Sequence, residues 1–465
     1  MAMAQAALHV ARRLLHCIVL SLLCSRCICN PALSAPPEAS PPQSAARVSD
    51  ESWPQWRGPG GRAIVPRPRL PDPWPKDRLE PAWHARLGTG WSSPVVAEGR
   101  VIITDRADAQ ERVIALDAAT GRELWTVKHA VDFDPHSVGA RHGNGPKSTP
   151  LVHEGKVYAI GIAGMLECLN ARSGEVHWQV NFPATFAARQ PLPAGKAFVK
   201  GTENVIVPVG DGQGAPVPLF GYTGSPTLAG NLLICAVGGV RGGTIVAFHK
   251  DSGRVVWKSL AENVSYSSPV IAQLGGMALV VVMTGPRVVG LDLADGGLLW
   301  SHPFQIPYDE SISTPAVADD LVLVTADRHP LTALRITRAG HGWHKEVAWT
   351  NEILSSYLSS MLVYEGHVYG MNDGGELACV RLSDGKTLWT GGSHGYYCSP
   401  VLAGRRLLGL NEQGELAVVA ADPAGYRPLG LSKLARGNTW TMPAVVGSRI
   451  YVRSGEGLDC FDLGK

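Results

Sequence analysis

One phrase of eleven residues returns through this chain and constrains its fold more than any other feature. It reads ALDAATGRELW at 115–125, CLNARSGEVHW at 168–178, AFHKDSGRVVW at 247–257, GLDLADGGLLW at 290–300 and CVRLSDGKTLW at 379–389. The phrase has no metal-ligand spacing, no nucleophile beside a base and no phosphate loop, so its role is structural. Its alternating residues predict a strand, a Gly-containing turn and a second strand ending in Trp. Ahead of each phrase stands an opening of Ser/Thr-Pro, an apolar run, a tight turn and a second apolar run, as in SSPVVAEGRVIIT at 92–104 and STPLVHEGKVYAI at 148–160. The opening recurs at Pro226, Pro269, Pro315, Pro400 and Pro443, and at 359–369 with Met361 in place of proline, which makes eight. Four short antiparallel strands repeated eight times predict an all-β, eight-bladed β-propeller. The 387 residues from Leu79 onward allow about 48 per blade.

Within the phrase the first position is small (Ala115, Cys168, Ala247, Gly290, Ala333, Cys379, Cys460) and the last is an indole (Trp125, Trp178, Trp257, Trp300, Trp349, Trp389). Each indole is expected to dock across blade surfaces where only a small side chain leaves room. Blade 7 lacks both halves of this pairing, with Val418 at the small position and Leu429 in place of the Trp. The final repeat, 441–463, holds only three strands, and Leu79–Arg86 carries Trp83 with no repeat before it. The N-terminal strand is therefore expected to complete the last blade, closing the ring and removing both sheet edges. The cysteines at 168, 379 and 460 share the small position, so they read as packing residues and not as a disulfide framework.

The remaining organisation follows from composition. Residues 1–35 read as an export signal, with Arg12-Arg13 before an apolar run from Leu14 to Cys24 and small residues at Ala32, Ser34 and Ala35. The run is too short to span a bilayer. Ser-Leu-Leu-Cys24 lacks the small residue expected before a lipidated cysteine, so no lipid anchor is expected. A periplasmic or cell-envelope location follows, with secretion as a further outcome. Residues 36–78 are rich in Pro and Gly and form a linker or strap, whose Trp53 and Trp56 are expected to lie against the body. Residues 79–465 form the propeller. A net charge of +2 over 465 residues supplies no basic stripe and argues against nucleic acid as a partner.

Phrases of the form Ala-x-Asp-x-x-x-Gly-x-x-x-Trp, repeated across residues 79–463, resemble the pyrroloquinoline quinone (PQQ) repeat. That resemblance implies a superfamily holding calcium-dependent quinoprotein alcohol dehydrogenases, a non-catalytic lipoprotein of outer-membrane assembly, and exported propellers such as those entered by a Trp-Pro-Gln-Trp-Arg-Gly-Pro segment. The enzymes of the superfamily cover PQQ with two adjacent cysteines and hold calcium with a Glu, an Asn and an Asp. This chain has no adjacent cysteines and no Cys-x-x-Cys-His for haem. The leading expectation is a monomeric, non-catalytic binding or assembly scaffold with no cofactor, meeting an envelope protein or small ligand. The alternative is a dehydrogenase of alcohols or sugars using PQQ with calcium, and a carbohydrate binder is a third option.

In a propeller the loops between blades share a face with the loops joining each second and third strand. Long insertions at 130–147 and 183–222 fall there. The candidate mouth residues are His136, Arg141, His142, Asn144 and Lys147 from the first insertion, with Tyr266, Asp309, Glu310, Tyr357, His394, Tyr396 and Trp440 approaching the inner strands. Tyr308 and Tyr397 stand at equivalent approaches. Arg241, Arg287, Arg328, Asn372, Asp373, Asn411, Glu412 and Arg453 fall between second and third strands. Groups of both signs around a central mouth suit a small ligand or peptide; filling of the channel is the bland alternative. His341-Gly-Trp-His344 has metal-like spacing but no third ligand nearby.

Overall fold

The computed structural model describes residues 51–464 apart from 66, 76–77, 136–138, 187, 189–194, 199–205, 210–217, 240 and 341. The export signal and most of the 183–222 insertion therefore lie outside the described residues. Among the described residues no helix is long and apolar enough to cross a membrane.

Eight four-stranded antiparallel sheets follow one another along the chain. Blade 1 runs Val95–Ala97, Arg100–Ala107, Gln110–Asp117 and Glu123–Ala130, and its first strand, like that of every blade, lies innermost. Blades 2 to 7 repeat this order, beginning at Leu151, Thr227, Val270, Ala316, Leu362 and Val401. Blade 8 takes Ala444–Val446, Arg449–Ser454 and Gly457–Asp462 from the C-terminus and Trp83–Arg86 from the N-terminus. The register there sets Trp83 opposite Cys460 and Arg86 opposite Gly457. The ring is thus closed by the N-terminal strand.

The repeated phrase now has a geometry. Each small residue sits directly across the ladder from the indole of its own blade: Ala115 with Trp125, Cys168 with Trp178, Ala247 with Trp257, Gly290 with Trp300, Ala333 with Trp349 and Cys379 with Trp389. The small side chain leaves the ring free to lean onto the following blade. There the indole covers the turn glycine, so that a Cβ at Gly121, Gly174, Gly253 or Gly296 would stand 2.5–2.8 Å from Trp83, Trp125, Trp178 or Trp257. Each of these glycines has φ between 66° and 77°, the left-handed region where only glycine is unstrained. The indole N–H donates to a carbonyl three residues past the next small position: Trp83 to Ala118, Trp125 to Ala171, Trp178 to Lys250, Trp257 to Leu293 and Trp349 to Leu382, at 2.9–3.2 Å. Trp389 reaches Asp422 of blade 7 at 2.9 Å.

Two irregularities have causes. Blade 5 extends its third and fourth strands to Ala339 and Gly342, so no turn glycine meets Trp300, whose N–H finds no partner among the described residues. In blade 7, Val418 faces Gly430, and Trp74 of the strap covers that glycine, donating to Ser432 Oγ at 2.8 Å.

The strap before the first blade enters the channel. Trp53, 1% exposed, pairs with Val96 of the innermost strand of blade 1, and the Pro54 carbonyl accepts from Val152 of blade 2. Trp56 Nε1 donates to Thr314 Oγ1 ahead of blade 5 at 3.0 Å, and buried Arg57 donates to the Met361 carbonyl of blade 6 at 2.5 Å. Gly58, at φ 66°, sits so close under the Trp53 indole that a Cβ would stand 2.5 Å from it. Ile64–Val65 then runs parallel to Leu402–Ala403 of blade 7. Backbone and indole together floor the channel. The chain leaves on the side of the first hairpin turns, where Arg69 N meets the Gly447 carbonyl and Arg406 holds the carbonyls of Leu70 and Pro71.

Candidate functional site

The Ser/Thr-Pro openings build the mouth. In seven blades the residue before the proline position carries a hydroxyl, and each hydroxyl accepts a backbone N–H from the preceding blade or an indole N–H from the strap. Ser93 N donates to Thr149, Thr149 N to Ser225, Ser225 N to Ser268, Thr314 N to Ser360 and Ser360 N to Ser399, at 2.9–3.2 Å. Met442 N of blade 8 donates to Ser93 at 3.1 Å, which carries the belt across the ring closure. The proline that follows has no N–H to lose and fixes the strand entry.

Two residues before this belt, side chains from all eight blades converge: Trp91, Lys147, Thr223, Tyr266, Ile312, Leu358, Tyr397 and Trp440. With Trp56 as floor and His142, Phe220, Glu310 and Tyr357 at the rim, they enclose a cup of about 160 Å³. One wall is aromatic. Tyr397 and Trp440 stack at 4.8 Å with planes 8° apart, Trp91 lies 4.5 Å from Trp440, and Phe220 meets Tyr266 edge-on at 5.2 Å.

Charged groups of both signs share the cup. Lys147 donates to the carbonyls of Gly143 and Phe220 at 3.2 and 3.1 Å, and burial lowers its pKa to about 8. Burial raises the Glu310 carboxyl to about 7 against the opposing influence of Arg141. His142 falls to about 4, first from burial and then from Arg141 and Lys147. Arg141 Nε donates to His142 Nε2 at 3.0 Å, which places the proton of the neutral ring on Nδ1, 3.4 Å from the Tyr397 hydroxyl. Arg141 also reaches the Tyr357 hydroxyl at 3.4 Å.

Of the sequence candidates, His142, Lys147, Tyr266, Glu310, Tyr357 and Trp440 line the cup, and Arg141 braces its rim. The others stand elsewhere. Asn144 accepts from Thr89, Asp309 accepts from Asn263, and Asn372 caps its own hairpin through Gly374 N and Glu376 N. His394 is buried against the Tyr426 hydroxyl at 3.2 Å, and the Tyr396 N–H is held by Glu412. Arg453 is fully buried and not at the mouth, donating to Ser92, Thr104 and Gly88. His136 lies outside the described residues, as does His341; His344 is exposed. Trp91, Phe220 and Trp56 are cup residues beyond the sequence candidates. Trp91 was within reach, since it stands at the same offset from its opening as Tyr266 and Trp440.

The cup does not fit calcium with PQQ. Among the described residues its only lining carboxylate is Glu310. The five described cysteines are buried singly within blades, none of them at the cup. Among the described residues no group of three His, Cys, Asp or Glu side chains converges on a point.

Eight blades docked by indoles onto turn glycines, with a mouth built from their openings, define a propeller of the PQQ-repeat class. The chain belongs to the family described as outer membrane protein assembly factor BamB, which it matches over residues 78–135 and 109–391. It is 21% identical over 369 residues to the outer membrane protein assembly factor BamB of Shewanella oneidensis, covering 73% of this chain and 88% of that one. Among solved structures, BamB from Moraxella catarrhalis superposes with a TM-score of 0.54 at 15% identity, covering 82% of this chain and 98% of that chain. The quinohemoprotein alcohol dehydrogenase of Comamonas testosteroni gives 0.61 at 16% identity, covering 89% and 81%. At such identities the structural likenesses speak for the fold.

Proposed function

We propose that the protein is an exported cell-envelope scaffold that binds an assembly partner or ligand at the cup and carries out no chemistry of its own. The observation that carries this reading is the strap. Trp53 and Arg57 lock it beneath the cup, so the channel mouth is a shallow, rigid recess and not a cofactor chamber. The cup holds aromatic anchors with a few polar groups, the composition of a recognition site. The family's description as an assembly factor agrees with it. The envelope location draws on the export-signal reading of residues 1–35 and on the family's description.

Two measurements on the full chain test this. Added PQQ with calcium leaves the melting temperature unchanged; a dose-dependent rise with dye reduction by an alcohol overturns the reading in favour of a dehydrogenase. From a solubilised envelope fraction, the wild-type chain co-purifies with an outer-membrane assembly component, and His142→Ala with Trp440→Ala loses it while melting as the wild type does. Retention by that double variant would clear the cup of the role.

A further inference from the structure

Each hydroxyl of the belt accepts one N–H, and its own proton is idle: none of the seven O–H groups has an acceptor among the described residues. All seven line the cup, and all are 2–6% exposed. Of the hydroxyls one residue earlier, Ser92 donates to the Thr104 carbonyl at 2.9 Å, Ser148 to Gly224 at 3.2 Å and Thr441 to Arg453 at 3.3 Å, whereas Ser267, Ser313 and Ser359 have no partner among the described residues. The belt thus presents its O–H groups as donors around the common centre that all seven residues line. A buried donor without an acceptor costs about 1–3 kcal/mol, so a ring of them is matched by a ligand that brings lone pairs. Lys147 adds a third ammonium proton beyond the two held by carbonyls.

We propose that the cup recognises a monoanionic carboxylate attached to a flat apolar body. The carboxylate oxygens take protons from the belt and from Lys147, and the body lies against Trp440, Tyr397 and Trp91. This rests on reading the cup as a recognition site. Three features select the chemistry. One ammonium and a set of neutral donors balance a single negative charge, as in charge-assisted hydrogen bonding to a carboxylate. Glu310 in the same cup opposes a doubly charged phosphate. A neutral sugar brings no charge to pair with the Lys147 ammonium, of whose three protons two are held by carbonyls. The carboxylate can belong to a free small acid or to the C-terminus of a polypeptide ending in an aromatic residue.

The test follows the fluorescence of the cup tryptophans while the full chain is titrated with phenylacetate and with phenylacetamide. In parallel, a blocked tripeptide ending in phenylalanine is titrated as free acid and as amide. The acid binds at least about tenfold more tightly than its amide, the worth of one charge-assisted contact. Lys147→Met abolishes that preference in a chain that still unfolds cooperatively and still binds the amide, and Ser225→Ala with Ser268→Ala reduces it. Whichever acid binds more tightly, small or peptide, identifies the source. Equal binding of acid and amide, an acid preference that survives Lys147→Met, or inorganic phosphate competing as well as phenylacetate overturns the proposal. If envelope capture persists without any acid preference, this inference fails and the scaffold reading stands; the reverse outcome separates them the other way.

Discussion

Trp83→Ala lowers the unfolding midpoint far more than Trp349→Ala. Both indoles dock alike: Trp83 covers Gly121 and donates to Ala118, Trp349 covers Gly385 and donates to Leu382. Removing either forfeits packing and leaves a cavity, about 3–5 kcal/mol by the precedent of buried aromatic truncation. The sites differ in what else joins the blades. Blades 5 and 6 are continuous chain, whereas Trp83 belongs to a strand held to blade 8 only by pairing and packing. The Ala118 carbonyl also receives Arg449 and the Tyr451 hydroxyl of blade 8 at 3.3 and 3.1 Å, so losing Trp83 loosens a shared anchor. Released, the strand exposes two sheet edges. Urea unfolding of both variants checks this, and equal midpoints would count against closure.

Arg453→Met costs a comparable about 3–5 kcal/mol, because a buried polar cluster loses its guanidinium donor. The guanidinium is 0% exposed, and burial lowers its pKa to about 10. It donates to the Thr104 carbonyl at 2.6 Å, to Ser92 Oγ at 2.9 Å and to the Ser92 and Gly88 carbonyls at 3.3 and 3.5 Å, binding blade 8 to blade 1 on the mouth side. Methionine fills similar volume and satisfies none of these acceptors. The exposed Arg328→Met serves as control and shifts the midpoint by less than about 0.5 kcal/mol. A small effect for Arg453→Met would mean that the blade 8 seam depends on the outer strand alone.

The fold was legible because the repeat states its own steric rule. A small residue, a turn glycine and an indole at fixed spacing require one another, and Val418, which faces Gly430 where the other blades place their indole, marks where that rule lapses. The sequence did not show that Trp74, remote in the chain, covers the gap in blade 7. Nor did it show that the strap enters the channel, since two tryptophans say that a segment docks and not where. At the mouth, the candidates that line the cup are all large side chains, His142, Lys147, Tyr266, Glu310, Tyr357 and Trp440. Asn144, Asp309 and Asn372 satisfy local hydrogen bonds, as short polar residues near turns commonly do. Arg453 was misplaced because position alone cannot separate a mouth arginine from one turned into the blade seam. The offset that finds the cup, three residues before each proline position, was present in every opening.

Ring closure by the N-terminal strand is the claim on which the surfaces and their roles depend. His84 and Asp459 face each other across that junction, with Nδ1 and Oδ1 2.8 Å apart. Cysteines at both positions (His84→Cys with Asp459→Cys) should form a disulfide under mild oxidation, giving a faster-migrating looped species on a denaturing, non-reducing gel that reverts on reduction. Neither single variant should give it. If the double variant runs as the linear chain while remaining folded, the first and last strands are not neighbours and the wheel is not closed in this way.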